Sequence, residues 1–142
     1  YHPRSYITAS PLATLGAAFP QALGAKVAQP ERAVVALCGD GGFLYNAQEL
    51  ATALKYGINV VVIVFNDNAY GNVLRAQEEQ FDGRIIGTEL HNPDFVKLAE
   101  AYGVVGLRAS DGNSLYTALS TAIASHAPTL IEVPVGKMKR EY

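Results

Sequence analysis

Two short segments of this 142-residue chain carry side chains whose types and spacing could do chemistry: Gly39-Asp40-Gly41-Gly42 and Asn66-Asp67-Asn68. Glycines between a strand and a helix let the backbone approach a phosphate, whose charge suits a helix N-terminus. A dinucleotide fingerprint would need a third glycine where Leu44 stands, and a P-loop would need Gly-Lys-Ser/Thr, which is absent. Asp40 changes the problem. A carboxylate in a phosphate-binding loop repels the ligand unless a cation lies between them. Magnesium bridges such pairs, using carboxylate, amide or carbonyl oxygens together with phosphate oxygens. The Asn66-Asp67-Asn68 segment offers oxygens of that kind. The plainer reading of the same residues is a capping aspartate in a tight turn beside an unrelated Asn-rich turn.

The elements that must position these segments alternate along the chain. Residues 11–28 read as helix, with Leu12, Leu15, Phe19, Leu23 and Val27 at three- and four-residue spacing and a break expected near Phe19-Pro20. Residues 33–38 read as a short buried strand, and Gly39 to Gly42 break it. Residues 43–56 turn helical, with Leu44, Ala47, Leu50, Ala51 and Leu54 on one side and Gly57 as terminator. The clearest strand is 60–65, six apolar residues, mostly β-branched. A helix over about 70–80 and an irregular stretch over 81–91 follow. Asn92-Pro93-Asp94 opens a helix over 95–102 that Gly103 ends. Strands over 104–108 and 129–133 flank a helix from about 113 or 114 to 126, and the charged tail 136–142 reads as a solvated end. Alternating strands and helices predict one α/β domain: a parallel sheet with helices on both faces and right-handed crossovers. Ligands of such sheets bind beyond the carboxyl ends of the strands, where both chemical segments fall.

Composition narrows the function classes. Hydrophobic residues make up 49% and charged residues only 17% of the chain, against roughly 25% charged in ordinary domains. That composition excludes a disordered charged tail. A net charge of -2 and a pI near 5.9 leave no electrostatic footprint for nucleic acid. The single cysteine, Cys38, cannot form an internal disulfide, and no Cys/His cluster has zinc spacing. No apolar run is long enough to span a bilayer, and no signal-peptide pattern begins the chain. A cytoplasmic piece of a larger protein, with no membrane and no nucleic-acid partner, is the expectation.

The ordered series of segments resembles one family. Gly39-Asp40-Gly41, then Asn46-Ala47-Gln48-Glu49-Leu50-Ala51-Thr52-Ala53, then Asn66-Asp67 before Tyr70-Gly71, is similar to the thiamine diphosphate motif. Acetolactate synthase and benzoylformate decarboxylase-like enzymes look closest. Supporting stretches are Thr14-Leu15-Gly16, Gly24-Ala25-Lys26, Asn92-Pro93-Asp94-Phe95, Ala99-Glu100-Ala101-Tyr102-Gly103 and Pro128-Thr129-Leu130-Ile131-Glu132-Val133, so the resemblance covers nearly the whole chain.

The resemblance implies that Asp40 and Asp67 ligate magnesium through their side chains and Ala69 through its carbonyl. It implies that Gly39, Gly41, Gly42, Asn66, Tyr70 and Gly71 surround the diphosphate. Leu15 falls where the family places an apolar side chain beneath the cofactor, although ordinary helix core explains it equally well. Asp67 departs from the family, which usually has asparagine there; the substitution adds a negative charge beside the diphosphate. Asn66 and Asn68 are substitutes if the loop is shifted. No catalytic residue is expected in this chain, because the family's activating glutamate lies on a separate pyrimidine-binding domain, and Glu49 matches a different position. The whole enzyme would decarboxylate a 2-oxo acid, with or without joining it to a second carbonyl, as a homo-oligomer whose apolar surfaces meet that domain and sister subunits. The alternatives are a non-catalytic cofactor-binding module and the cofactor-binding subunit of a 2-oxo acid oxidoreductase. His2, His91 and His126 are scattered and read as surface residues, and Cys38 as inert packing.

Overall fold

The computed structural model describes residues 3, 5–8 and 14–136. Leu12 of the expected first helix, His2 and the tail beyond residue 136 lie outside the described residues. Four strands, β1 (Val35–Gly39), β2 (Val61–Asn66), β3 (Val105–Arg108) and β4 (Thr129–Pro134), form one parallel sheet in the order β1-β2-β4-β3. Among the described residues six helices accompany them: α1 (Ala18–Ala28), α2 (Asp40–Leu44), α3 (Glu49–Lys55), α4 (Gly71–Gln80), α5 (Phe95–Ala101) and α6 (Gly112–Ser125). None is long and apolar enough to cross a membrane.

The sheet is the middle of three layers. On one face Phe19, Phe43, Leu50 and Phe95 bury against Ala36, Val62 and Leu130. The Phe43 ring stands 5.7 Å from Phe19 and 5.9 Å from Phe95, which locks α1, α2 and α5 together. On the other face Leu115, Leu119 and Ala122 of α6 cover Val61, Ile63, Ile131 and Val133. This is the expected α/β architecture with helices on both faces.

Three local expectations change. The strand over 33–38 is not buried on both sides: β1 is an edge strand. Ala36 and Cys38 face the α1 layer, whereas Leu37 is 61% exposed, because α6 packs over β2, β3 and β4. The single helix over 43–56 is two. Helix α2 begins at Asp40 and stops at Leu44, residues 45–48 turn, and the shifted phase buries Phe43, Ala47, Leu50 and Ala53. Leu44 and Leu54, expected on the inner face, are exposed. Finally, no break occurs at Phe19-Pro20. Pro20 sits in the first turn of α1, where a backbone N–H has no helical partner to lose. The chain bends earlier, at Gly16 (φ +85°), where an added Cβ would lie 2.7 Å from Asn46 Nδ2 and 2.8 Å from Tyr45 Cβ. The Asn46 side chain donates to the Gly16 carbonyl at 2.9 Å, so this bend and the α2–α3 turn hold each other.

Helix ends are set by local chemistry. Asp94 accepts from the Val96 and Lys97 backbone N–H groups at the start of α5. Asp111 and Ser114 form a reciprocal capping box at the start of α6.

Candidate functional site

The register gathers the carboxyl ends of all four strands at one edge of the sheet. Asp40 follows Gly39 at the end of β1, Asn66 closes β2, Glu132 lies within β4 and Arg108 closes β3. Asp40 is 2% exposed. Asp67, half-buried, follows β2 directly. Its Oδ1 accepts the Ala69 backbone N–H at 3.1 Å, making an Asx turn. Tyr70 N–H to Thr88 O and Leu90 N–H to Asn68 O, both 2.8 Å, clamp this turn against residues 88–90. The clamp fixes the loop that carries Asp67.

The two carboxylates feel each other. The Asp67 carboxyl is pushed above its ordinary value, first by burial and then by the negative charge of Asp40. Among the described residues neither has an ion-pair partner. No group of three or more His, Cys, Asp or Glu side chains could hold a metal among the described residues, so protein side chains alone do not make a closed metal cage. Two carboxylates with room for further oxygen donors suit magnesium shared with phosphate groups. The donor set fits that cation.

A chain of hydrogen bonds braces these strand ends from below. Asn92 Nδ2 donates to Asp40 Oδ2 at 2.5 Å and to Asn66 Oδ1 at 2.8 Å. Asn66 Nδ2 donates to Glu132 Oε1 at 2.8 Å. Glu132, only 4% exposed, takes the Arg108 guanidinium on Oε2 at 2.8 and 2.9 Å. Arg108 reaches onward to Asp94 Oδ1 at 2.9 Å. The bond to Glu132 is the first reason that the Arg108 guanidinium titrates above its usual value. Asp94 is held below the carboxylate range, chiefly by the Lys97 backbone N–H.

Most of the residues singled out from sequence meet here. Gly41 lies under the Tyr70 ring: an added Cβ would be 2.5 Å from Tyr70 Cε1 and 3.0 Å from Leu90 Cδ1. Gly42 faces Leu15, with an ideal Cβ 3.8 Å from Leu15 Cδ2. A Cβ on Gly71 would stand 2.7 Å from Asp67 Oδ2. Hydrogen bonding to Tyr45 is the first cause pushing the Tyr70 phenol above its ordinary value. Leu15 is 53% exposed in the turn before α1, so the helix-core reading of this side chain is corrected. Gly39 marks the strand end. Asn66 behaves differently from the others, because both ends of its amide are turned into the brace. Asn68 is exposed, with φ +58°. His91 is exposed, and His126 is the exposed C-cap of α6.

Sequence reasoning missed the brace itself. Asn92 read only as part of a helix start, and Glu132 only as one letter in an apolar strand. The signal was present in Glu132: a charge inside a run buried on both faces requires a partner. What could not be read was that Arg108, 24 residues earlier, supplies it.

Fold and site together define an α/β domain with paired carboxylates beside glycine-bearing backbone, beyond the strand ends of a parallel sheet. Comparison with known proteins refines this. The chain belongs to the family described as thiamine pyrophosphate enzyme, C-terminal TPP binding domain, whose family model matches residues 1–133. It is similar to the acetolactate synthase large subunit of Parasynechococcus marenigrum (strain WH8102), 39% identical over 142 residues, covering 99% of this chain and 23% of the relative. It is 42% identical over 142 residues to the acetolactate synthase large subunit of Haemophilus influenzae, covering 99% of this chain and 25% of that one. Among solved structures, the thiamine diphosphate-dependent 4-hydroxybenzoylformate decarboxylase of Rhodococcus jostii RHA1 superposes with a TM-score of 0.82 at 38% identity, over 89% of this chain and 24% of that one. The chain therefore spans about a quarter of the length of the relatives it matches. The family's cofactor is thiamine diphosphate, also called thiamine pyrophosphate.

Proposed function

We propose that this chain holds the diphosphate of thiamine diphosphate through magnesium, as the C-terminal domain of a longer enzyme that decarboxylates a 2-oxo acid and can act as a carboligase. The observation that carries the reading is the buried Asp40 facing Asp67 at the strand ends, neither paired with a cationic side chain among the described residues. The Asp40 and Asp67 carboxylates and the Ala69 carbonyl would be the protein's ligands, and phosphate oxygens with water would complete the shell.

Gly41 and Gly42, in the first turn of α2, would present backbone N–H groups to the diphosphate, and Gly39, Tyr70 and Gly71 would border it. The Leu15 side chain, exposed and against Gly42, would support the cofactor rings from below. When bound, the cofactor supplies the electron sink for loss of carbon dioxide. This chain's part is to bind, charge-balance and orient it. The activating carboxylate would come from a pyrimidine-binding domain, so the chain alone would bind without turnover. Exposed apolar side chains such as Tyr45, Ile86 and Tyr116 suit burial against that domain and sister subunits in a cytoplasmic homo-oligomer.

The test is titration of the full-length protein with thiamine diphosphate, with and without magnesium, repeated for Asp40→Ala. Tight binding that needs magnesium and is lost in the variant is the expected result. Magnesium-independent binding, or unchanged affinity in the variant, overturns the metal bridge. A panel of 2-oxo acids then tests the reaction: cofactor binding without carbon dioxide release from any of them overturns the decarboxylase reading.

A further inference from the structure

Beyond the ligands themselves, we infer that Asn92 is a positioning residue for the cation site, setting which oxygen of Asp40 faces the metal. The inference rests on the magnesium reading above. Asn92 belongs to no helix or strand, and its amide nitrogen carries two N–H donors. One goes to Asp40 Oδ2 at 2.5 Å and the other to Asn66 Oδ1 at 2.8 Å, so it ties together the ends of β1 and β2. Among the described residues no other side-chain amide, hydroxyl or cation donates to Asp40. A carboxylate held at one oxygen loses its freedom to rotate, and Oδ1 is left for the cation.

The remaining contacts show why Asn92 can act as a fixed point. Asn66, which receives its second bond, is anchored by buried Glu132, and Glu132 is neutralised by Arg108. The brace therefore transmits the position of β4 and β3 to Asp40. The cost is visible in the same side chain: Asn92 Oδ1 is buried and has no hydrogen-bond partner. An amide that only filled space would be replaced without loss by an apolar residue, which would leave no orphaned oxygen. Its two N–H groups explain its presence; its oxygen does not.

The experiment uses the full-length protein with thiamine diphosphate and manganese as a paramagnetic stand-in for magnesium. Free manganese is counted by electron paramagnetic resonance in wild type, Asn92→Ala, Asn92→Ser and Asp40→Ala, and each protein is melted without metal. Residues that orient a metal ligand typically change metal affinity about 10–100-fold. Asn92→Ala is expected to raise the manganese dissociation constant by that factor and, because buried Asp40 loses its side-chain donor, to melt lower than wild type without metal; excess manganese should restore cofactor binding. Serine, which can keep only one of the two bonds, should fall between wild type and alanine. If alanine does not fold, serine decides alone. Wild-type manganese affinity in the Asn92 variants, with Asp40→Ala defective, overturns the positioning role and spares the metal bridge. Wild-type affinity in Asp40→Ala overturns both.

Discussion

Asp67→Asn perturbs the site by one charge and almost no volume, which makes its consequences calculable. The asparagine carbonyl can still accept from the Ala69 N–H, and the side chain still fits beside Gly71. Two unit charges about 4 Å apart repel by about 1 kcal/mol in water and about 4 kcal/mol at an effective dielectric of 20. Asp40 is buried but Asp67 is half-exposed, so solvent screening brings the repulsion toward the lower figure, about 1–2 kcal/mol. The metal-free variant should be more stable than the parent by about that amount at pH 7. The pH dependence has a defined sign. The carboxyl of Asp67 is raised in the folded protein, so its contribution is fully present below the unfolded value near 3.9 and is lost as pH rises through the raised folded value. The parent should lose metal-free stability across that window, and the variant should lack this part of the slope.

Metal binding should move the other way. A divalent cation loses one of its two carboxylates, and a roughly tenfold weaker magnesium affinity, about 1.4 kcal/mol, is expected. Metal-free affinity for the anionic cofactor should rise, since one repulsive charge is gone. Denaturant unfolding from pH 3 to pH 8 without metal, with calorimetric titration of magnesium and cofactor, reads all of these quantities. A variant that is less stable without metal at pH 7, or that binds magnesium more tightly than the parent, would refute the paired-carboxylate reasoning.

Gly41→Ala should drive the Tyr70 ring from its seat, since the new Cβ would lie 2.5 Å from a ring carbon; a loss of about 1–3 kcal/mol in denaturant unfolding is expected, partly recovered by Tyr70→Ala. Asp111→Ala should destabilise α6 at neutral pH. Because the Ser114 backbone N–H is the first cause holding Asp111 below the carboxylate range, the contribution is present above the unfolded value and disappears as pH falls through the lowered folded value. The difference between variant and parent in urea unfolding should therefore shrink on acidification. Burial pushes the Cys38 thiol up to about 12, so iodoacetamide at pH 8 should label it only after denaturation; rapid labelling of folded protein, followed by mass spectrometry, would contradict the buried assignment.

Local chemistry in the sequence determined a good deal of this protein. The β-branched run of β2, the helix starts at Asp94 and Asp111, and the position of Gly39-Asp40-Gly41-Gly42 between a strand and a helix each follow from nearby residues. So do the parallel α/β layers, because alternating buried strands and amphipathic helices have few other ways to cover their apolar faces. Exposure of β1 depends instead on where α6 lies, and the division of 43–56 on a long-range bond between Asn46 and Gly16. The same distinction runs through the site. Asp40 and the glycines beside it stand out at a strand end, and the family resemblance assigned roles to them, Asp67 and Ala69 whatever the sheet order. Asn92, Asn66, Glu132 and Arg108 become one brace only when β1, β2, β4 and β3 stand side by side in that order. A hydrogen bond depends on distances of a few tenths of an ångström between groups far apart in the chain, and only the packed sheet supplies them.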